Sequence, residues 1–272
     1  MIHKLLKGLA PVAALAASAM LAGCNVDMQI GDKEGVPLAD LDLSGDAPTE
    51  IVLASPDKVV VTQGDTFDIS LAGNEEAQKH MRFNLDDNAL GIMREKGSKG
   101  TSGPAIVRVT LPSLKGMVLA GSGTIEADRM EGRAEVTIAG SGSGKVADLR
   151  GEKLDLTIAG SGDFEAAGEV DDLDMTVAGS GSGKMAGLKV GNADISVAGS
   201  GDAEFMSDGK VEASIVGSGD ITVNGNATCT VSAMGSGKLR CKGGSSASSD
   251  NPAPPEAPAA PDAPEAPDAP EA

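Results

Sequence analysis

The chain has 272 residues, with 40 acidic against 22 basic side chains and a formal charge of −18. There is no Trp, no Tyr and only four Phe beside 37 Gly, which argues against an aromatic-rich globular core or an aromatic platform for sugars. A nucleic-acid groove or an anionic-lipid patch needs clustered Lys and Arg, and no such cluster stands out, so nucleic acid is not an expected partner.

Residues 1–23 read as an export signal. Lys4 and Lys7 make a basic start, and Leu9 to Leu21 is an apolar stretch, too short for a permanent span of about 20 residues. The boundary Leu21-Ala22-Gly23-Cys24 resembles the lipobox of bacterial lipoproteins. That resemblance implies cleavage before Cys24 and lipid on its thiol and amino terminus, enough hydrocarbon for stable membrane anchoring. Asn25, rather than Asp, resembles the sorting position of outer-membrane lipoproteins. Loss of the leader removes two lysines and leaves 40 acidic against 20 basic side chains. Residues 24–48 are polar with few apolar anchors and are expected to be a tether.

From 49 to about 118, alternating runs mark strands at Glu50 to Ala54, Val59 to Thr62, Phe67 to Ala72, Met81 to Leu85, Leu90 to Met93 and Ile106 to Leu111. Turns are expected at Gly64-Asp65, at Asp86-Asp87-Asn88 and across Gly97 to Gly103. These runs lack a repeat and are expected to form irregular coils covering one end of the body.

A repeat begins beyond them. Ala-Gly-Ser-Gly or a close variant recurs with its first glycine at Gly121, Gly140, Gly160, Gly179, Gly199, Gly217 and Gly235. The spacing of 18 to 20 residues points to one supersecondary unit stacked many times. Two residues before each first glycine stand Leu119, Ile138, Ile158, Val177, Val197, Ile215 and Ala233. Four before stand Met117, Val136, Leu156, Met175, Ile195, Ala213 and Val231, and six before Leu154, Leu173, Val211 and Cys229. The same parity returns six residues after the glycine with Ala127, Val146, Ala166, Met185, Phe205, Val223 and Cys241. This alternation is that of half-buried strands. Both corner glycines fall on the inward parity, so each is expected to leave room where the corner is narrow.

The expected fold is therefore all-β, a single-stranded parallel β-helix. Its domain spans residues 49–243, with regular coils over about 115–243. Leucine-rich repeats need a Leu-x-Leu-x-x-Asn pattern and left-handed hexapeptide helices a six-residue period; neither is present, which favours a right-handed solenoid. Residues 244–272 are expected to be a disordered Pro, Ala and acidic tail, with eight prolines between Pro252 and Pro270.

Val59-Val60-Val61 before Gln63-Gly64-Asp65, then Ile106 to Leu114, then Leu119-Ala120-Gly121-Ser122-Gly123 resemble the family of autotransporter adhesin head, or GIN, domains over roughly residues 49–240. The resemblance implies a right-handed β-helix in the cell envelope and carries no catalytic motif.

Stacked coils turn outward positions into columns. Five residues before the corners lie Glu135, Asp155, Asp174, Asp194 and Glu212, and beside them Thr137, Thr157, Thr176, Ser196, Ser214 and Ser232. Carboxylates at a coil spacing of about 4.8 Å repel one another. A divalent cation or a polycationic partner would relieve them; otherwise the column is a solvated face, without neighbouring bases. Five residues after the corners the sign alternates through Glu126, Lys145, Glu165, Lys184, Glu204, Thr222 and Arg240, which is expected to fix the register. Cys229 and Cys241 share the inward parity of the last coil and are either a disulfide staple or two buried thiols.

Catalytic motifs are not found, and neither a cofactor nor a metal is expected. His80 is the one histidine outside the leader, too few for a triad or zinc cluster. Gly-Ser-Gly-Ser-Gly-Lys at Gly140 and Gly179 resembles a phosphate loop but has Ala139 and Ala178 at its leading glycine, and Val146 and Met185 where Ser or Thr is needed. No Gly-x-Ser-x-Gly elbow occurs. The expected function is a lipid-anchored, adhesin-like interaction module for an unknown protein or glycan ligand. A structural or assembly-related periplasmic lipoprotein is the alternative, and a polysaccharide-acting β-helix enzyme comes third.

Overall fold

The computed structural model describes residues 35–248, except 87, 96 and 99–102. The expected signal peptide, Cys24 and the Pro-rich segment beyond residue 248 lie outside the described residues. So does the first part of the expected tether.

The alternating runs become strands close to where the side-chain pattern places them. They are β1 Glu50–Ala54, β2 Lys58–Gln63, β3 Asp68–Gly73, β4 Met81–Asp86, β5 Ala89–Arg94, β6 Ala105–Leu111 and β7 Gly116–Gly121. Between β3 and β4 runs a five-residue helix, α1 Glu75–Lys79, which the sequence reading does not include. Asn74 caps it, its side chain accepting from the Ala77 N–H.

The repeat follows as β8 Thr124–Gly140, β9 Ser143–Gly160, β10 Asp163–Gly179, β11 Ser182–Gly199, β12 Asp202–Ser207, β13 Lys210–Gly217, β14 Asp220–Gly235 and β15 Lys238–Ser248. Neighbours pair in parallel from β7 to β15. The result is a nearly all-β solenoid of about seven turns. Inward residues such as Ile138, Leu156, Leu173, Phe164, Met185 and Phe205 form one continuous core along its axis.

The two corner glycines have different reasons. Gly140, Gly160, Gly179 and Gly199 have φ between 123° and 130°, a backbone region closed to most side chains, and are only half-buried. A Cβ on Gly160 would strike the carbonyl oxygen of Gly140 in the coil before it. The second glycine is the inward one: Gly162 is buried, and a Cβ there would enter the Ile138 side chain. The expectation that both point inward is thus corrected, because the first is required by backbone stacking and the second by core volume.

At the other end the chain abandons sequential stacking. β1 lies between β7 and β5, pairing in parallel with both, and β2 lies between β8 and β6. The coil made by β5 and β6 therefore sits outside the one made by β1 and β2. Two antiparallel strands finish this end, β4 on β5 and β3 on β6.

Two expected boundaries move. Val36 exchanges backbone hydrogen bonds with Phe83 (2.8 and 2.7 Å), and Leu38 and Leu41 pack on the core. The stretch from Gly35 thus lies against the body rather than lifting it, since its aliphatic residues find apolar partners. β15 continues to Ser248, past the expected start of the tail at Gly244, because residues 245–248 still pair with Thr228 to Val231 of β14.

Candidate interaction face

The second half of each coil pairs in parallel and in register with its neighbours. Register pairs Glu135 with Asp155, Asp155 with Asp174, Asp174 with Asp194 and Asp194 with Glu212. All five carboxylates therefore stand in one row, and four of them are exposed, with Asp155 half-buried. The hydroxyl row runs alongside in the same register, from Thr137 through Thr157, Thr176, Ser196 and Ser214 to Ser232. Thr137 is buried, whereas Thr176, Ser196, Ser214 and Ser232 are exposed.

The acidic row extends one step further than the repeat. Glu50 of β1 pairs with Gly116, which pairs with Glu135. Gly116 leaves the space that the Glu50 side chain occupies, for a Cβ there would lie 2.7 Å from Glu50 Cγ. Burial, and then the nearby Glu135, raise the Glu50 carboxyl above its ordinary value. Glu50 precedes the glycine repeat, so only the pairing of Ile51 with Met117 and Leu53 with Leu119 brings it into the row.

The row does have neighbouring bases, contrary to the sequence reading. Lys153 Nζ lies 2.8 Å from Asp155 and also contacts Asp174, and Lys210 Nζ lies 2.6 Å from Glu212. Both lysines sit two residues before an acid of the row, and the alternation of a strand puts them on its outward side. Hydrogen bonds to Asp155 and Asp174 raise the Lys153 ammonium above its usual value. Lys153, Asp172, Asp174, Asn192, Asp194, Lys210 and Glu212 line a shallow depression, where Asn192 Nδ2 donates to Asp172 at 3.2 Å. Among the described residues no group of three or more His, Cys, Asp or Glu side chains gathers as a metal cluster.

In the first half of each coil, the alternating column carries ion pairs between coils. Lys58 Nζ meets Glu126 at 2.8 Å and Lys145 meets Glu165 at 3.2 Å, while Lys184 reaches Asp163 (3.0 Å) and Arg240 reaches Asp220 (3.2 Å). Exposed pairs of this kind each contribute little, and a slip of register would break them together. His80 ends α1, with Nδ1 3.4 Å from Glu95, which Arg82 also holds at 2.9 Å. That contact and the cation hold the Glu95 carboxyl below its usual value.

Cys229 and Cys241 come together across the interior of the last coils, with Cα atoms 6.6 Å apart, and the structure joins them as a disulfide. A further lock lies at the far end. The Asp57 side chain is fully buried and accepts from Arg94 Nε (2.8 Å), from the far guanidinium nitrogen (2.6 Å) and from the Ala105 N–H (2.7 Å). It holds the β1–β2 corner to the outer coil.

Residues 47–227 match the family described as "Putative auto-transporter adhesin, head GIN domain". The chain belongs to this family. No curated protein matches the sequence. Among solved structures, the chain is similar to a "putative adhesin" from Bacteroides fragilis, with 18% identity over 72% of this chain and 93% of that one and a TM-score of 0.66. It is also similar to a "putative lipid binding protein" from Parabacteroides distasonis, at 24% identity, the same coverages and a TM-score of 0.56. A "putative adhesin" from Parabacteroides merdae shares 20% identity over 72% of this chain and 92% of that one, with a TM-score of 0.51. At these identities the likeness is one of fold. The GIN-domain solenoid is that of an adhesin-like cell-envelope family, and no catalytic family is matched. Among the described residues no helix is long and apolar enough to cross a membrane.

Proposed function

We propose that this GIN-domain protein is an adhesin-like interaction module tethered to the outer membrane. In this reading residues 1–23 are removed, Cys24 carries lipid, and the solenoid offers the face of these rows to a protein or glycan ligand without catalysing a reaction. The observation that carries the proposal is the pair of in-register rows on that face. Carboxylates from Glu135 to Glu212 stand beside hydroxyls from Thr137 to Ser232, repeated once per coil. A stack of coils holds such groups at a fixed spacing of about 4.8 Å without further ordering cost, which favours an extended, repetitive ligand. Lys153 and Lys210 add donors to the rim of the same face.

The test is binding of the protein to glycan and matrix-protein arrays, compared with a variant carrying Asp155→Asn, Asp174→Asn and Asp194→Asn. Binding by the parent and its loss in the variant, with the melting temperature preserved, supports the proposal. Equal binding by both proteins excludes this face. For the anchor, Cys24→Ala is expected to accumulate unlipidated precursor; normal processing to a soluble product would refute lipidation.

A further inference from the structure

The two ends of the solenoid are finished differently. At the β4 end, antiparallel strands lie on the outer coil, and Val36 in turn takes the outer edge of β4. At the β15 end, among the described residues, β15 pairs only with β14, so its outer edge presents backbone donors and acceptors along the whole strand. The core shows through here as well. Ala233 is exposed and Val231, Leu239 and Cys241 are only half-buried, although their counterparts in earlier coils, such as Ile215, Ala213, Ile221 and Val223, are buried. Val216 and Met234 add apolar surface on the adjacent face, at 52% and 61% exposure.

The outward side of this edge strand is basic. Lys238, Arg240 and Lys242 alternate with the inward Leu239 and Cys241, a grouping of cations that the sequence reading does not single out. At this position strands of opposite sign are neighbours from β8 to β12 and again at β14 and β15, whereas β12 and β14 set Asp202 beside Asp220. Acidic β10 lies between β9 and β11, where Glu165 takes Lys145 and Asp163 takes Lys184. By the prevailing alternation the step after Lys238, Arg240 and Lys242 would be acidic outward and apolar inward. The segment after Ser248 has acidic residues but no Val, Ile, Leu, Met or Phe, and its prolines lack the N–H that a ladder needs.

We propose that the outer edge of β15 is a strand-addition site for an extended segment of a partner protein in which acidic and apolar residues alternate. Its backbone continues the parallel ladder, its carboxylates meet Lys238, Arg240 and Lys242, and its apolar side chains cover Leu239, Cys241 and Val231. The same cations that discourage neutral or basic strands at an edge select an acidic one. The site is independent of the face proposed above.

A fluorescein-labelled peptide with the sequence of residues Gly162–Val170 serves as the probe, since it already occupies the equivalent step inside the body. Added in the register of a next coil, it puts Asp163 opposite Lys238 and Glu165 opposite Arg240. Fluorescence anisotropy with the full chain is expected to show saturable binding, weakened at least tenfold when the peptide acids are replaced by Lys. The same weakening is expected when the protein carries Lys238→Ser, Arg240→Ser and Lys242→Ser. The peptide arm leaves the protein untouched, so it decides even if the triple variant folds poorly. Absence of binding overturns the proposal, as does binding indifferent to both sets of changes. Self-association of the parent that disappears in the triple variant also overturns it, by making a second copy the occupant.

Discussion

Between Glu50 and Gly121 the chain lays its coils out of order, with β5 and β6 outside β1 and β2. From Thr124 to Gly235 each coil lies on the one before it. The corners differ accordingly. In the repeat, glycine lets backbone rest on backbone, so one motif serves every coil. At the irregular end the corner is Ser55-Pro56-Asp57, and a buried ion pair between Asp57 and Arg94 joins it to the outer coil. Repetition makes stacking a local matter, whereas a coil inserted between two later ones needs a specific long-range bond.

The strongest way to break this contrast is Asp57→Ala. It leaves Arg94 partly buried opposite a lost charge and strips the Ala105 N–H of its acceptor, so a loss of about 3–5 kcal/mol is expected in chemical denaturation. A loss below about 1 kcal/mol would show that strand pairing alone holds this end.

Next in size comes Gly160→Ala, which combines the cost of a positive φ, about 1–3 kcal/mol, with collision against the Gly140 carbonyl. Gly121→Ala is its control, because Gly121 has nearly the same φ (125° against 124°) but nothing within 4 Å of an added Cβ. The difference between the two melting shifts measures backbone stacking by itself; equal shifts would mean that the repeat gains nothing from it.

Reduction of Cys229–Cys241, or Cys229→Ser, is expected to cost up to about 3 kcal/mol for a loop this short, and to loosen the β15 end first. Hydrogen exchange under reducing conditions locates the effect, and unchanged protection in β14 and β15 would deny the bond a stabilising role.

The smallest effect is expected at Glu50. Its carboxyl is raised in the folded protein, so the folded state holds that proton more tightly than the unfolded chain, and stability declines as pH rises through the interval above 4.5. Glu50→Gln should remove that decline and leave the protein slightly more stable at pH 7, by less than about 1 kcal/mol. Thermal melts at pH 4 and 7 check the sign.

Much of this was legible in the residues. Alternation locates every strand from β1 to β6 to within one or two positions, and the glycine period aligns the acidic row in the register that the strands adopt. Alternation assigns a face to a side chain but does not name the neighbouring strand, so the placement of β5 and β6 outside β1 and β2 could not be read. For the same reason Asp57 and Arg94 gave no sign of their meeting. Lys153 and Lys210 were legible in principle, since a column two positions before the acids contains them. α1 is short, and its signal is the Asn74 cap followed by Glu75 and Glu76.

Protease shaving of intact cells, with an epitope tag placed after Pro252, tests whether the proposed adhesin-like module meets its partners outside the cell. For an adhesin-like module the expected result is loss of the tag without release of periplasmic contents. Protection of the tag until the outer membrane is opened would contradict it and turn attention to a periplasmic structural or assembly role.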